Sequence, residues 1–203
     1  MINLTHHNKG FTLIEMLVSL ALYTIVAVIA VGTLLVLIGG NSQSTGDQAV
    51  VTSLSYALDS MTRDIRTGTQ YYCGTAAQAT SSAILNSTTT VRNCSTPSAG
   101  FSFRESGTST TNGKSNNRIA YYYLANQLWR QVGANPAEAM LGDDIKVTAV
   151  NFFTSGASPL HISPFGEIYQ PTVTIIIDAI AVSTSNPRPF TIQTTITQRE
   201  LDI

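Results

Sequence analysis

Residues 11–38, FTLIEMLVSLALYTIVAVIAVGTLLVLI, make a run of about 28 residues in which Glu15 is the single charge, and a helix needs about 20 apolar residues to cross a bilayer. A secretory signal carries an apolar core of about 7 to 15 residues and is removed whole. This run is about twice as long, so it reads as a single retained span. Lys9, just before it, favours a cytoplasmic N-terminus with the rest of the chain outside. The carboxylate of Glu15 is then the anomaly, because an acid at the centre of a membrane helix costs about 2.5 to 3.5 kcal/mol, and less near an end.

The 203 residues leave room for one domain of ordinary size beside the span. Charged residues are 11% of the chain and the formal net charge is -1. That balance provides no broad basic surface for nucleic acid and leaves a local patch open. The rest is rich in Ser, Thr, Asn and Gly, a neutral polar surface that suits an extracytoplasmic location. The two cysteines, Cys73 and Cys94, both follow the span. In an exported domain such a pair is most simply a disulfide, the alternative being two unrelated buried thiols.

The string Lys9-Gly10-Phe11-Thr12-Leu13-Ile14-Glu15 followed by an unbroken apolar run resembles the class III signal of type IV prepilins and pseudopilins. The resemblance implies that a membrane-embedded prepilin peptidase cuts after Gly10 and methylates the new amino group of Phe11, while the span stays in the mature chain. It also implies other pilins or pseudopilins as partners through the N-terminal helix, and a cytoplasmic-membrane assembly platform driven by a separate ATPase.

This resemblance gives the acid a purpose. Cleavage would leave an α-ammonium on Phe11, four residues from Glu15 and one helical turn away on the same face. In a filament, where spans pack on one another, Glu15 paired with the ammonium of a neighbouring subunit would offset its desolvation and set the axial register. The competing reading is an interfacial Glu that snorkels to the headgroups.

Beyond the span, Gly39 and Gly40 weaken helix propensity and suggest a hinge or local melt. Val51, Leu54, Leu58, Met61 and Ile65 then form an apolar stripe at helical spacing. The opposite side carries Ser53, Tyr56, Asp59, Ser60, Arg63 and Asp64, with Asp59 and Arg63 placed for an ion pair. The helix is expected to end near Gly68. Strands are expected at 118–124 and 127–132, joined by an Ala-Asn turn, and at 146–153, 172–182 and 190–199. Residues 75–117 read as an exposed insertion with one short strand near 101–104. The expected organisation is a leader at 1–10, a span at 11–38, a stalk helix at 39–68, a Ser/Thr-rich loop region with the disulfide at 69–117, and an antiparallel head at 118–203. The fold class is α+β, a long helix packed on an antiparallel sheet. This order of elements is similar to that of PilW-like minor pilins and J-type pseudopilins.

Catalytic chemistry is sparse. With the leader removed, His161 is the one histidine left, in the loop SPLHISPFG, where a surface role outweighs a catalytic one. Two cysteines and one histidine without paired short spacing do not make a zinc site. Asp143-Asp144 lacks the alternating oxygen pattern of a calcium loop, and Asp178 interrupts an apolar strand, on a partner-facing or simply exposed side of the sheet. The sequons at Asn86 and Asn93 arise readily in a Ser/Thr-rich stretch. No cofactor is implied. The expected function is a minor pilin or pseudopilin of a type IV pilus, type II secretion or competence filament, with a role at its initiating tip. The rival is a membrane-anchored module that binds a ligand or cell-wall component and never polymerises.

Overall fold

Helix α1 (Leu13–Thr67) passes through both glycines expected to break it. Helix propagation is cooperative, so the ladder continues through Gly39-Gly40 despite a cost of about 1 kcal/mol per glycine. The computed structural model describes residues 10–87, 89–105, 118–157, 170–182 and 187–199. The leader positions His6, His7 and Lys9, Thr88 of the first sequon, and His161 lie outside the described residues. The chain divides into two units, Met1–Ser44 and Thr45–Ile203. The first holds the apolar part of α1, and the second holds the rest.

In the second unit α1 is followed by β1 (Thr69–Gly74), the short turns α2 (Ala76–Ala79) and α3 (Ser82–Leu85), β2 (Cys94–Ser98), β3 (Gly100–Arg104), β4 (Arg118–Leu124), β5 (Gln127–Val132), β6 (Glu138–Ala139), β7 (Ile145–Ser155), β8 (Thr172–Ala181) and β9 (Phe190–Thr197). They form two antiparallel sheets, in the orders β1-β3-β4-β5-β6 and β2-β7-β8-β9. The α+β, pilin-like arrangement is therefore present, with its strands shared between two sheets. The β4–β5 hairpin turns at Ala125 and Asn126, both left-handed at φ 52 and 62, as a two-residue turn of this twist demands.

Three details differ from the sequence reading. The stripe on α1 is Val50, Leu54, Ala57, Leu58, Met61 and Ile65, all buried, while Val51 is 45% exposed. Both valines satisfy the helical spacing, and the position of the sheets selects Val50. Asp64 turns toward the sheets rather than to solvent, because Tyr121 and Arg130 reach it from β4 and β5. The stretch 75–105 holds β2 and two helical turns in addition to β3, the strand expected there. The Thr75 cap, which accepts from Gln78 N–H while the Gln78 side chain accepts from Thr75 N–H, explains α2.

The core joins both sheets to α1. An aromatic chain runs through it: Tyr71 to Phe101 at 5.5 Å, Phe101 to Phe152 at 5.8 Å and Phe103 to Tyr121 at 6.1 Å between ring centroids. Tyr71 also donates its hydroxyl to the Ile65 carbonyl at 2.6 Å, satisfying a carbonyl in the last turn of α1. Gly68 ends that helix with its N–H on the Asp64 and Ile65 carbonyls. A Cβ there would fall against the Phe103 ring, so Gly68→Ala is expected to displace Phe103 and destabilise the head by about 1 to 3 kcal/mol. The thermal midpoint followed by Trp129 fluorescence measures this, since Trp129 is the sole tryptophan.

Candidate functional site

The N-terminal segment is built around Thr12. Gly10, Phe11 and Thr12 precede the helix. The Thr12 hydroxyl accepts the Glu15 N–H at 3.3 Å, and its carbonyl accepts the Met16 N–H at 3.2 Å. Thr12 is thus the N-cap and Glu15 the third helical residue, the spacing of a capping box. Among the described residues the Glu15 carboxylate itself has no partner. It sits in the first turn, where the helix dipole favours negative charge. Because Thr12 caps the helix at Leu13, Phe11 lies outside it in the chain with its leader attached, one difference from the helical-turn spacing expected between Phe11 and Glu15. Gly10 is exposed, with open space around the position a Cβ would take.

From Phe11 to Ile38 every large apolar side chain is 52–78% exposed. A helix apolar on all sides suits lipid or a bundle of similar helices. Two of its hydroxyls are satisfied within the helix: Thr24 donates to the Ala21 carbonyl at 2.8 Å and Thr33 to the Ala30 carbonyl at 2.9 Å. That is what an environment without water requires of a polar group. Among the described residues one helix is long and apolar enough to cross a membrane.

The second unit fastens its sheets to α1 with polar contacts the sequence reading did not single out. The Tyr121 hydroxyl donates to Asp64 at 2.7 Å, and Arg130 donates to the same carboxylate oxygen at 3.2 Å. Arg118, 2% exposed, donates to the Ser102 hydroxyl and to the carbonyls of Gln70, Ser87, Thr90 and Ser102. Their partners lie 16 to 66 residues away, so no local pattern marks them. The Asp59–Arg63 pair forms at 3.5 Å on the exposed side. Asp178, half-buried on β8, accepts from the Thr191 hydroxyl of β9 at 2.5 Å, which identifies the outer side of that sheet. Asp143 and Asp144 form the turn before β7. Among the described residues no three His, Cys, Asp or Glu side chains group as metal ligands.

Cys73 and Cys94 are bonded, with Cα atoms 5.7 Å apart and a sequence separation of 21. Closing that loop contributes about 3 kcal/mol in the chain-entropy model. Cys73 belongs to β1 and Cys94 to β2, so the bond links one sheet to the other.

Burial raises the hydroxyl pKa of Tyr71, and burial together with the Asp64 hydrogen bond raises that of Tyr121. Above pH about 10 the unfolded chain releases protons that these two groups still hold, so stability falls as pH rises. Burial lowers Arg118 to about 10. From there up to the ordinary arginine range the unfolded chain holds that proton more tightly, which opposes part of the loss. Thermal midpoints are expected to decline from pH 9.5 upward, and Tyr121→Phe is expected to flatten that decline.

A family model for the prokaryotic N-terminal methylation motif matches residues 5–38. No curated protein and no solved structure matches the chain. The motif supports a type IV pilin-like protein with a prepilin-type N-terminus.

Proposed function

We propose that the chain is a minor pilin or pseudopilin. It waits in the cytoplasmic membrane with its N-terminus inside and its head outside. Prepilin peptidase cuts after Gly10 and methylates Phe11, and the subunit then joins a filament through α1. One observation carries this reading: the methylation motif coincides with residues 11–38, whose large apolar side chains are all exposed and whose single acid has no side-chain partner among the described residues. A span needed only as an anchor gains no more from that acid than a favourable first helical turn.

The proposal places the head at the initiating end of a pilus, a secretion pseudopilus or a competence filament. The rival, a plain membrane anchor, separates from it at Gly10. Mass spectrometry of the N-terminal peptide from native membranes is expected to find N-methylated Phe11, and to find the intact leader when the peptidase is deleted. An intact leader in the presence of active peptidase overturns the reading.

A further inference from the structure

On the β2-β7-β8-β9 sheet, β2 meets β7 at Cys94↔Thr154 and Ser98↔Phe152, with four residues of β2 spanning two of β7. A bulge of this kind loosens a ladder and opens the edge of the sheet. Beside it lies a groove of about 440 Å³ walled by Asn93, Ser95, Phe153, Thr154, Thr172 and Thr174, with Cys94 and Ser155 completing it. That volume falls in the range of small-molecule sites. None of these eight residues is charged.

The polar groups of the groove are held in place with capacity to spare. The Ser155 and Thr172 hydroxyls bond each other at 2.7 Å, and Thr174 bonds Thr195 of β9 at 2.9 Å. Each pair uses one O–H and leaves a second donor and several lone pairs. Asn93 accepts the Ala157 N–H at 2.8 Å, which leaves its amide NH₂ to donate. Phe153 stands half-buried among them, opposite Thr174 in register.

We propose that this groove binds a neutral carbohydrate. An ionic ligand would find no counter-charge here, and a wholly apolar one would strip water from hydroxyls without replacing their hydrogen bonds. A sugar supplies hydroxyls that both donate and accept, and its C–H face can lie on the Phe153 ring. The disulfide fixes one wall, because Cys94 is tied to Cys73 of the other sheet. The inference concerns the head alone and stands whether or not the chain polymerises.

The test titrates the full chain, in a detergent without a sugar headgroup, with cellotetraose, mannotetraose, galactotetraose and chitotetraose, and with tetragalacturonate as an anionic control, by isothermal calorimetry. At least one neutral tetrasaccharide is expected to bind more tightly than the control. Phe153→Ala is expected to weaken it about tenfold, and Thr174→Val several-fold. Thr191→Val, on the same side of the sheet but outside the groove, is expected to leave it unchanged. Should Phe153→Ala unfold, judged by its thermal midpoint, Thr174→Val decides alone. Absence of binding by all four neutral sugars, preference for tetragalacturonate, or binding unaffected by the groove variants overturns the proposal.

Discussion

A Glu15→Leu chain is expected to enter the membrane and be trimmed like the wild type, yet to appear in filaments at about one-tenth to one-hundredth of the wild-type level. Insertion itself should improve, since the acid costs up to about 2.5 to 3.5 kcal/mol in a membrane helix and Leu is favourable there. The loss comes later, when the span leaves lipid and a positive terminus of a neighbouring subunit arrives without its counter-charge. A charge-assisted hydrogen bond contributes about 1.5 to 3 kcal/mol, which sets the stated range. Glu15→Gln separates this explanation from a local one. The Thr12 cap places residue 15 at the third helical position, where Gln closes a capping box as well as Glu does. If Glu15 acted merely by capping its own helix, Gln would be recovered in filaments normally. Pairing with an ammonium predicts that Gln fails nearly as badly as Leu. Filaments sheared from cells, quantified against the membrane fraction, give the ratio, and wild-type ratios for both variants would remove Glu15 from assembly.

What the chain declares locally and what it conceals divide along sequence separation. The apolar run and its acid are visible because a span is written in consecutive residues. Strand β8 is visible too, as a run rich in β-branched residues, and its alternation of half-buried and buried positions from Thr172 to Ala181 is the strand's period of two. Val50 and Val51 show where such counting stops, since adjacent apolar residues fit the same helical face and the facing sheets choose between them. Asp64 is harder still. It flanks the stripe and looks like a solvent-facing acid until Tyr121 and Arg130 arrive from 57 and 66 residues away. β1 and β2 escaped notice because each is short, sits in a Ser/Thr-rich setting, and gains its place from pairing with distant β3 and β7. The groove on β7 was equally unreadable, because Asn93, Phe153 and Thr172 converge only after that pairing. The cysteine pair lies between these cases: spacing and compartment suggested the bond, and the geometry supplies it.

Arg118 opens β4, where a sequence reader would set it aside as the polar end of a strand, and its replacement is expected to be the most damaging single change in the head. The guanidinium is buried, and among the described residues carbonyls and a hydroxyl rather than a carboxylate solvate it. Those acceptors come from β1, from the segment after α3 and from β3, so one side chain gathers three stretches of chain. The Gln70 carbonyl at 2.8 Å matters most, because Gln70 is left-handed at φ 56 within the irregular part of β1. Arg118→Met keeps much of the volume and removes every donor. The two Ser102 acceptors are then left buried, at about 1 to 3 kcal/mol each, while those of Gln70, Ser87 and Thr90, half-buried, recover part of their bonding from water. Releasing a desolvated charge offsets some of this. The net expectation is a loss on the order of 3 kcal/mol, read as a drop in the Trp129 fluorescence midpoint of the full chain in detergent. Arg118→Lys tests the geometry: one ammonium cannot reach acceptors spread across a planar fork, so it should recover less than half of the loss. A midpoint for Arg118→Met within the error of wild type would mean that the gathered carbonyls find other donors and that this arginine holds nothing together.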